Sequence, residues 1–203
     1  MLNALVVFEE GIRSALQLSS LYVYATQQIR APMSFDDILR AQIVYAVSSF
    51  DKLIHDLVRI GMVQTFTGSR TPTPRYLTES ISVRSYLQLV SATIPPREFF
   101  FEQDVVNKHR HLSFQDPDKV AEALSLIWAE TQKWQAISIA MGEPDYQQVR
   151  TQLKTICGRR NQIVHQADYD PFSGQKLAIT QVDSEGACEF LRRVGAAIYT
   201  LVR

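Results

Sequence analysis

Val149-Arg150-Thr151-Gln152-Leu153-Lys154-Thr155-Ile156-Cys157-Gly158-Arg159-Arg160-Asn161-Gln162-Ile163-Val164-His165 is the stretch from which both the fold and the chemistry of this chain are read. Val149, Leu153, Ile156 and Ile163 recur at i, i+4, i+7 and i+14, one apolar stripe of an α-helix. Arg160 falls at i+11, inside that stripe. A guanidinium there faces packed surface rather than water, and burying it unpaired costs at least several kcal/mol. It must therefore meet a carboxylate, a phosphate or a subunit boundary. His165 lies five residues further on, roughly 140° around a straight helix. For both groups to reach one phosphate, the helix must end or bend near His165, or a second subunit must supply one of them. Asn161 and His165 are i and i+4, so the amide can steady the imidazole. A helix C-terminus repels phosphate, and Arg159, Arg160 and Lys154 are the side chains that can supply the attraction instead.

A permanent cation, an amide and a titratable imidazole within two helical turns suit a phosphodiester, because arginine orients and neutralises the phosphate and histidine moves a proton. No metal-ligand cluster, phosphate-binding loop or thiol nucleophile elsewhere competes with this set, so no metal and no cofactor is expected. The same spacing also reads as a helix-terminal histidine on the helix dipole beside a structural arginine.

The rest of the chain bounds the answer. Of 203 residues, 46% are apolar and 21% charged, enough for a sizeable core and wrong for a disordered chain. Twenty-one basic residues cancel 21 acidic ones, which excludes a bulk-electrostatic DNA binder and leaves any nucleic-acid contact to a local patch. Cys157 and Cys188 form no CxxC or disulfide pattern and sit in apolar-periodic segments, which reads as buried free thiols in a reducing cytoplasm. The N-terminal Leu2–Phe8 run lacks a basic leader and meets Glu9-Glu10, and no run of roughly 18 apolar residues can span a membrane.

The periodicities predict an all-α fold, an antiparallel helical bundle of about six to seven helices in a single domain over residues 1–203, with an N-terminal helical arm at 1–32 and a long loop at 61–78. The first helix covers about Asn3 to Ile29. Ser34-Phe35-Asp36-Asp37 caps a second that runs through Ile38, Ile43, Phe50 and Leu57 and stops at Gly61. Two prolines and a glycine make the following stretch a loop with two exposed arginines, Arg70 and Arg75, both candidates for RNA capture. Shorter helices follow at about Glu79–Ala92 and Arg97–Lys108, the latter with a partly buried Phe99-Phe100-Phe101 cluster. Asp116-Pro117 opens a helix that carries Val120, Leu124, Ile127, Trp128 and Trp134 to Gly142. Pro144-Asp145 opens the helix with the quoted stretch, and Asp183 caps a last helix over about Ser184–Leu201.

Three further clusters each admit two readings. Asp51 and His55, i and i+4 on the second helix, either orient Arg160 or His165 or form a surface pair. Lys108-His109-Arg110-His111 either holds RNA phosphates or is a solvated helix end. Asp168 either steadies the His165 imidazole or forms a turn before Pro171.

Arg159-Arg160-Asn161-Gln162-Ile163-Val164-His165 resembles the signature of the HEPN superfamily (higher eukaryotes and prokaryotes nucleotide-binding domain): Arg, usually Asn, then His after a short spacer. Ile38-Leu39-Arg40 through Ser48-Ser49-Phe50-Asp51-Lys52-Leu53-Ile54-His55-Asp56 and Leu112-Ser113-Phe114-Gln115-Asp116-Pro117-Asp118-Lys119-Val120-Ala121 resemble the corresponding segments of its RiboL-PSP-HEPN group, and the similarity covers most of residues 35–200. The resemblance implies a bundle that dimerises with the two motifs facing each other across the interface. Many members are metal-independent endoribonucleases, often toxins in phage defence or toxin–antitoxin pairs, whereas others only bind RNA, a nucleotide or a protein. The implied partners are RNA, a second copy of the chain, and an antitoxin or regulatory protein. The expected catalytic set is Arg160, Asn161, His165 and Asp51, with Arg159, Arg70, Arg75 and Lys154 gripping RNA. The chain departs from toxins that carry a tyrosine two residues after the histidine: Ala167 stands there, and the nearest tyrosine is Tyr169.

Overall fold

Nine helices carry the chain, which the computed structural model describes over residues 1–203: α1 (Leu2–Gln28), α2 (Asp36–Phe66), α3 (Pro74–Leu77), α4 (Val83–Ser91), α5 (Arg97–His109), α6 (Pro117–Leu124), α7 (Lys133–Met141), α8 (Tyr146–Gln166) and α9 (Gln181–Val202). The expected all-α class holds, and no strand forms beyond a single antiparallel bridge between Tyr169 and Lys176. No helix is long and apolar enough to cross a membrane.

The hub is α2, which packs against α1, α5, α6, α8 and α9. Its fully buried Val47, Phe50, Ile54, Leu57 and Val58 follow the helical period and join one continuous core with residues of α1, α6, α8 and α9. The N-terminal segment is no separate arm, because Phe8, Ile12 and Ala15 of α1 sit in that core. Buried hydrogen bonds fix the helix directions. Gln42 near the start of α2 accepts from Ser19 late in α1 and from Ser184 at the start of α9. Just past the end of α2, Arg70 donates to the carbonyl of Val202 at the end of α9. Thus α1 runs against α2 as short connections require, whereas α9 runs with it, an exception to the expected antiparallel order. The helical period of α4 points outward: Val83, Tyr86, Leu87 and Val90 are exposed and only Leu89 is buried.

Three expectations fail for one shared reason. The second helix runs past Gly61 to Phe66, the Asp116 helix breaks after Leu124 instead of reaching Gly142, and the 61–78 segment is neither long nor free. At Gly61 the backbone makes room for Ile127, whose Cγ2 would lie 2.5 Å from an added Cβ. Ile127 belongs to the break between α6 and α7, where carbonyls lose their intrahelical donors. Arg70 donates to Ile127 O (2.9 Å), and the Thr73 hydroxyl donates to Ser125 O (2.7 Å). The segment after α2 therefore staples the break. Arg70 is held by backbone carbonyls rather than exposed, and Arg75 pairs with Glu79 and Glu122.

Most caps match the sequence signals. Asp116 accepts from Asp118 N with Pro117 in the first turn, and Asp145 accepts from Gln147 N at the start of α8. The cap of α9 is Thr180, which accepts from Asp183 N, so the last helix starts three residues earlier than expected.

Candidate functional site

Helix α8 presents two unlike sides. One is locked by Asp168, which is fully buried. Its Oδ2 accepts from Arg40 Nε (2.6 Å) on α2 and from Arg159 Nη2 (2.8 Å) on α8. Arg40 also donates to Leu177 O (2.6 Å), and Arg159 to Ala178 O (3.0 Å). One carboxylate thus joins α2, α8 and the 167–180 connection. The backbone there turns left-handed at two consecutive non-glycine residues, Ala167 (φ 48°) and Asp168 (φ 63°), and α8 stops at Gln166, one residue past His165. Such residues persist only where the surroundings over-determine them, and the twin ion pair does so here. Asp168 therefore does not steady His165 and does form the turn that ends α8. It bonds inward.

The other side is open. Lys154, Gly158, Asn161 and His165 follow at i, i+4, i+7 and i+11, all exposed. Nothing lies within 4 Å of where a Gly158 Cβ would stand, so a ligand or a second backbone can approach closely. Lys154, Gly158 and Asn161 line a depression of about 230 Å³, faced by Ser113, Gln115, Asp116 and Lys119 of the α5–α6 connection and the start of α6.

Arg160 lies between the two sides, half-buried as its place in the stripe requires. Its Nε is shielded from solvent and has no partner, and its one side-chain bond is Nη1 to Asn161 Oδ1 at 3.1 Å. No carboxylate pairs with it, so the charge demanded by burial is not supplied within the chain. The expected Asn161–His165 contact does not form, because the amide oxygen serves Arg160 and the imidazole makes no hydrogen bond. The helix stays regular from Tyr146 to Gln166, so Arg160 and His165 keep their angular separation within one copy.

Asp51 does not reach Arg160 or His165. Its carboxylate accepts from Phe114 N (2.6 Å) and Gln115 Nε2 (3.4 Å), while His55 packs on the Phe114 ring at 4.4 Å and meets Leu112 O at 3.3 Å. Together they hold the 112–115 segment that faces α8. Arg159 is tied down and not free to grip RNA, Arg70 serves the α6–α7 break, and Lys154 alone of the expected gripping set stands free beside the motif. Cys157, next to Arg160, is buried, and that burial, with Asp51 and Asp116 adding, pushes its thiol up to about 12. Cys188 is pushed up to about 11 by burial. Both are inert free thiols.

Sequence reasoning missed Arg40 as half of the clamp. The rule that singled out Arg160 finds it too: Arg40 stands in register with Ile43, Val47 and Ile54 at i+3, i+7 and i+14.

No curated protein and no solved structure matches the chain. The family model of RiboL-PSP-HEPN matches residues 12–203, which takes in most of α1, the α2 hub, the clamp and the whole of α8 with its Arg160, Asn161 and His165. With a match over nearly its full length, the chain belongs to the RiboL-PSP-HEPN family.

Proposed function

We propose that the chain is a metal-independent endoribonuclease that cuts RNA by internal transesterification and works as a homodimer. The observation that supports this best is Arg160, a half-buried guanidinium that pairs with no carboxylate, on the same helix as the exposed imidazole of His165. A phosphate supplies the missing negative charge. In the proposed step His165 takes the proton of a ribose 2′-hydroxyl and the 2′-oxygen attacks the adjacent phosphorus. Arg160 stabilises the charge gathering on the non-bridging oxygens. The bond to the 5′-oxygen breaks, and that oxygen takes a proton from the partner subunit's His165. The products are a 2′,3′-cyclic phosphate and a 5′-hydroxyl, and DNA, which has no 2′-hydroxyl, survives. Roughly 140° separates positions five residues apart on a straight helix, which supports a second copy completing the set. A toxin or defence role, with an antitoxin or regulatory protein as partner, is supported by the family resemblance.

The test is incubation of the purified protein with total RNA in EDTA, followed by end-group analysis. Cyclic-phosphate ends that vanish in Arg160→Ala and His165→Ala support the proposal, and intact RNA under all conditions ends it. A second reading, a non-catalytic module that binds RNA, a nucleotide or a protein, is favoured by the free imidazole of His165, which no neighbour orients. Under that reading His165→Ala binds RNA as the parent does and neither protein cuts it.

A further inference from the structure

We infer that a cavity of about 440 Å³ between the end of α5, the 110–116 connection and α6 receives a nucleotide unit, its base against His109 and Phe114 and its phosphate at Lys119. As a strand-binding subsite it rests on the RNA reading of α8. Four observations carry it.

The first is size and lining. The volume falls within the usual range of small-ligand pockets. Leu112, Phe114, Ala123 and Leu126 give it an apolar side, and Arg75, Lys108 and Lys119 a cationic one on which Glu79 and Glu122 also stand. The second is His109, which is 8% exposed, lines the cavity and makes no side-chain hydrogen bond to the protein. Its ring nitrogens are not sealed from solvent, so they are open to a ligand's donor and acceptor. Its surroundings keep it neutral, chiefly by burial, so it offers one donor and one acceptor, the pattern that reads a base edge. It also meets the Phe114 ring edge-on at 6.3 Å, which holds its plane.

The third is charge. Arg75 and Lys108 both pair with Glu79, whereas Lys119 is exposed and in no ion pair. One ammonium is therefore free at the mouth. The fourth is continuity. Ser113 and Lys119 line both this cavity and the depression that holds Lys154, Gly158 and Asn161. A strand whose linkage sits at α8 meets the cavity across that shared wall, and Asp51 and His55 fix the wall from behind. Of the Lys108–His111 run, Lys108, Arg110 and His111 are exposed, as at a solvated helix end, and only His109 faces inward.

The test uses the full chain and two kinds of ligand: a fluorescent 2′-O-methyl oligoribonucleotide, which lacks the nucleophile and stays intact, and the four free nucleoside monophosphates. Lys119→Glu is expected to weaken oligonucleotide binding about fivefold to tenfold and to lower the salt slope by about 1. His109→Leu is expected to change the preference among the four homopolymers. Should His109→Leu fail to fold, the exposed Lys119 variant still decides. Monophosphates that bind and lose affinity in the same variants identify a free nucleotide as a ligand of the same site, whereas oligonucleotide binding alone assigns it to the strand. Wild-type affinity, salt slope and base preference in both variants overturn the inference. Cleavage by the wild type is assayed alongside. Intact cleavage with insensitive variants removes the cavity alone, and variant-sensitive binding without cleavage keeps the cavity while removing the ribonuclease step.

Discussion

Of two consecutive arginines on α8, Arg159 gives its guanidinium to buried Asp168 and to the carbonyls of Leu177 and Ala178, whereas Arg160 has only the Asn161 amide. The residue type is the same and the neighbours are one peptide apart, yet a 100° turn sends one into a clamp and the other to an unfilled site. The difference shows that a cation in an apolar stripe is not by itself a functional signal. Arg40 sits in such a stripe too and is fully engaged by Asp37, Asp168 and Leu177. What separates the clamp arginines from Arg160 is whether the chain itself supplies the counter-charge.

The sharpest way to break that contrast is to remove the carboxylate. Asp168→Ala leaves Arg159 with no carboxylate and Arg40 with exposed Asp37 alone, and frees two left-handed residues. It is expected to cost about 3–5 kcal/mol in urea unfolding. A loss under about 1 kcal/mol means the clamp is ornamental.

Next comes the pair Arg159→Met and Arg160→Met. The first abandons a buried charge-assisted bond and is expected to cost about 1–3 kcal/mol. The second keeps the stem's packing, abandons no ion pair and is expected to leave stability within about 0.5 kcal/mol. RNA cleavage should fall about 100-fold or more in Arg160→Met if the guanidinium carries transition-state charge. Equal destabilisation by the two variants would erase the distinction between them.

A smaller effect is expected with pH. Burial, helped by His55 and Lys108 and opposed by Glu79 and Asp104, holds His109 below its ordinary value. The unfolded chain takes up that proton near pH 6.5 and the folded chain only below it, so the unfolded state binds more protons in between. This contribution to stability is complete above about pH 6.5 and is lost as pH falls through the lower folded value. Unfolding curves from pH 7.5 to 5 should show the loss in the parent and a flatter profile in His109→Leu, and parallel profiles refute the assignment.

The smallest expected signal is alkylation of Cys157. Its thiol, pushed up to about 12 and buried beside Arg160, should react with iodoacetamide only as fast as the protein opens. Labelling faster than global unfolding would show that the open side of α8 is also the looser one.

Much of this was legible from residue order. Period and caps locate the long helices, because Asp145, Asp116-Pro117 and the stripe on α8 act within a turn of themselves. Legibility stops where a side chain's partner is distant. Gly61 reads as a stop signal because the residue that needs its missing Cβ, Ile127, lies 66 positions away, and nothing local announces it. Asp51 reads as a partner for arginine or histidine, yet a backbone amide 63 residues on claims it. Arg160 was found because the physics of burying charge is local, while its lack of a partner emerges only when every other carboxylate has been placed.

Aspartate meets two demands at position 168. Glycine would accept the backbone there but carry no charge, and asparagine would leave Arg159 with no carboxylate and Arg40 with exposed Asp37 alone. The length of α8, and with it the reach of its terminal imidazole, is therefore written into a side chain that never faces the solvent. A change at that position would alter where α8 ends, just past His165, while leaving every atom of the motif in the sequence.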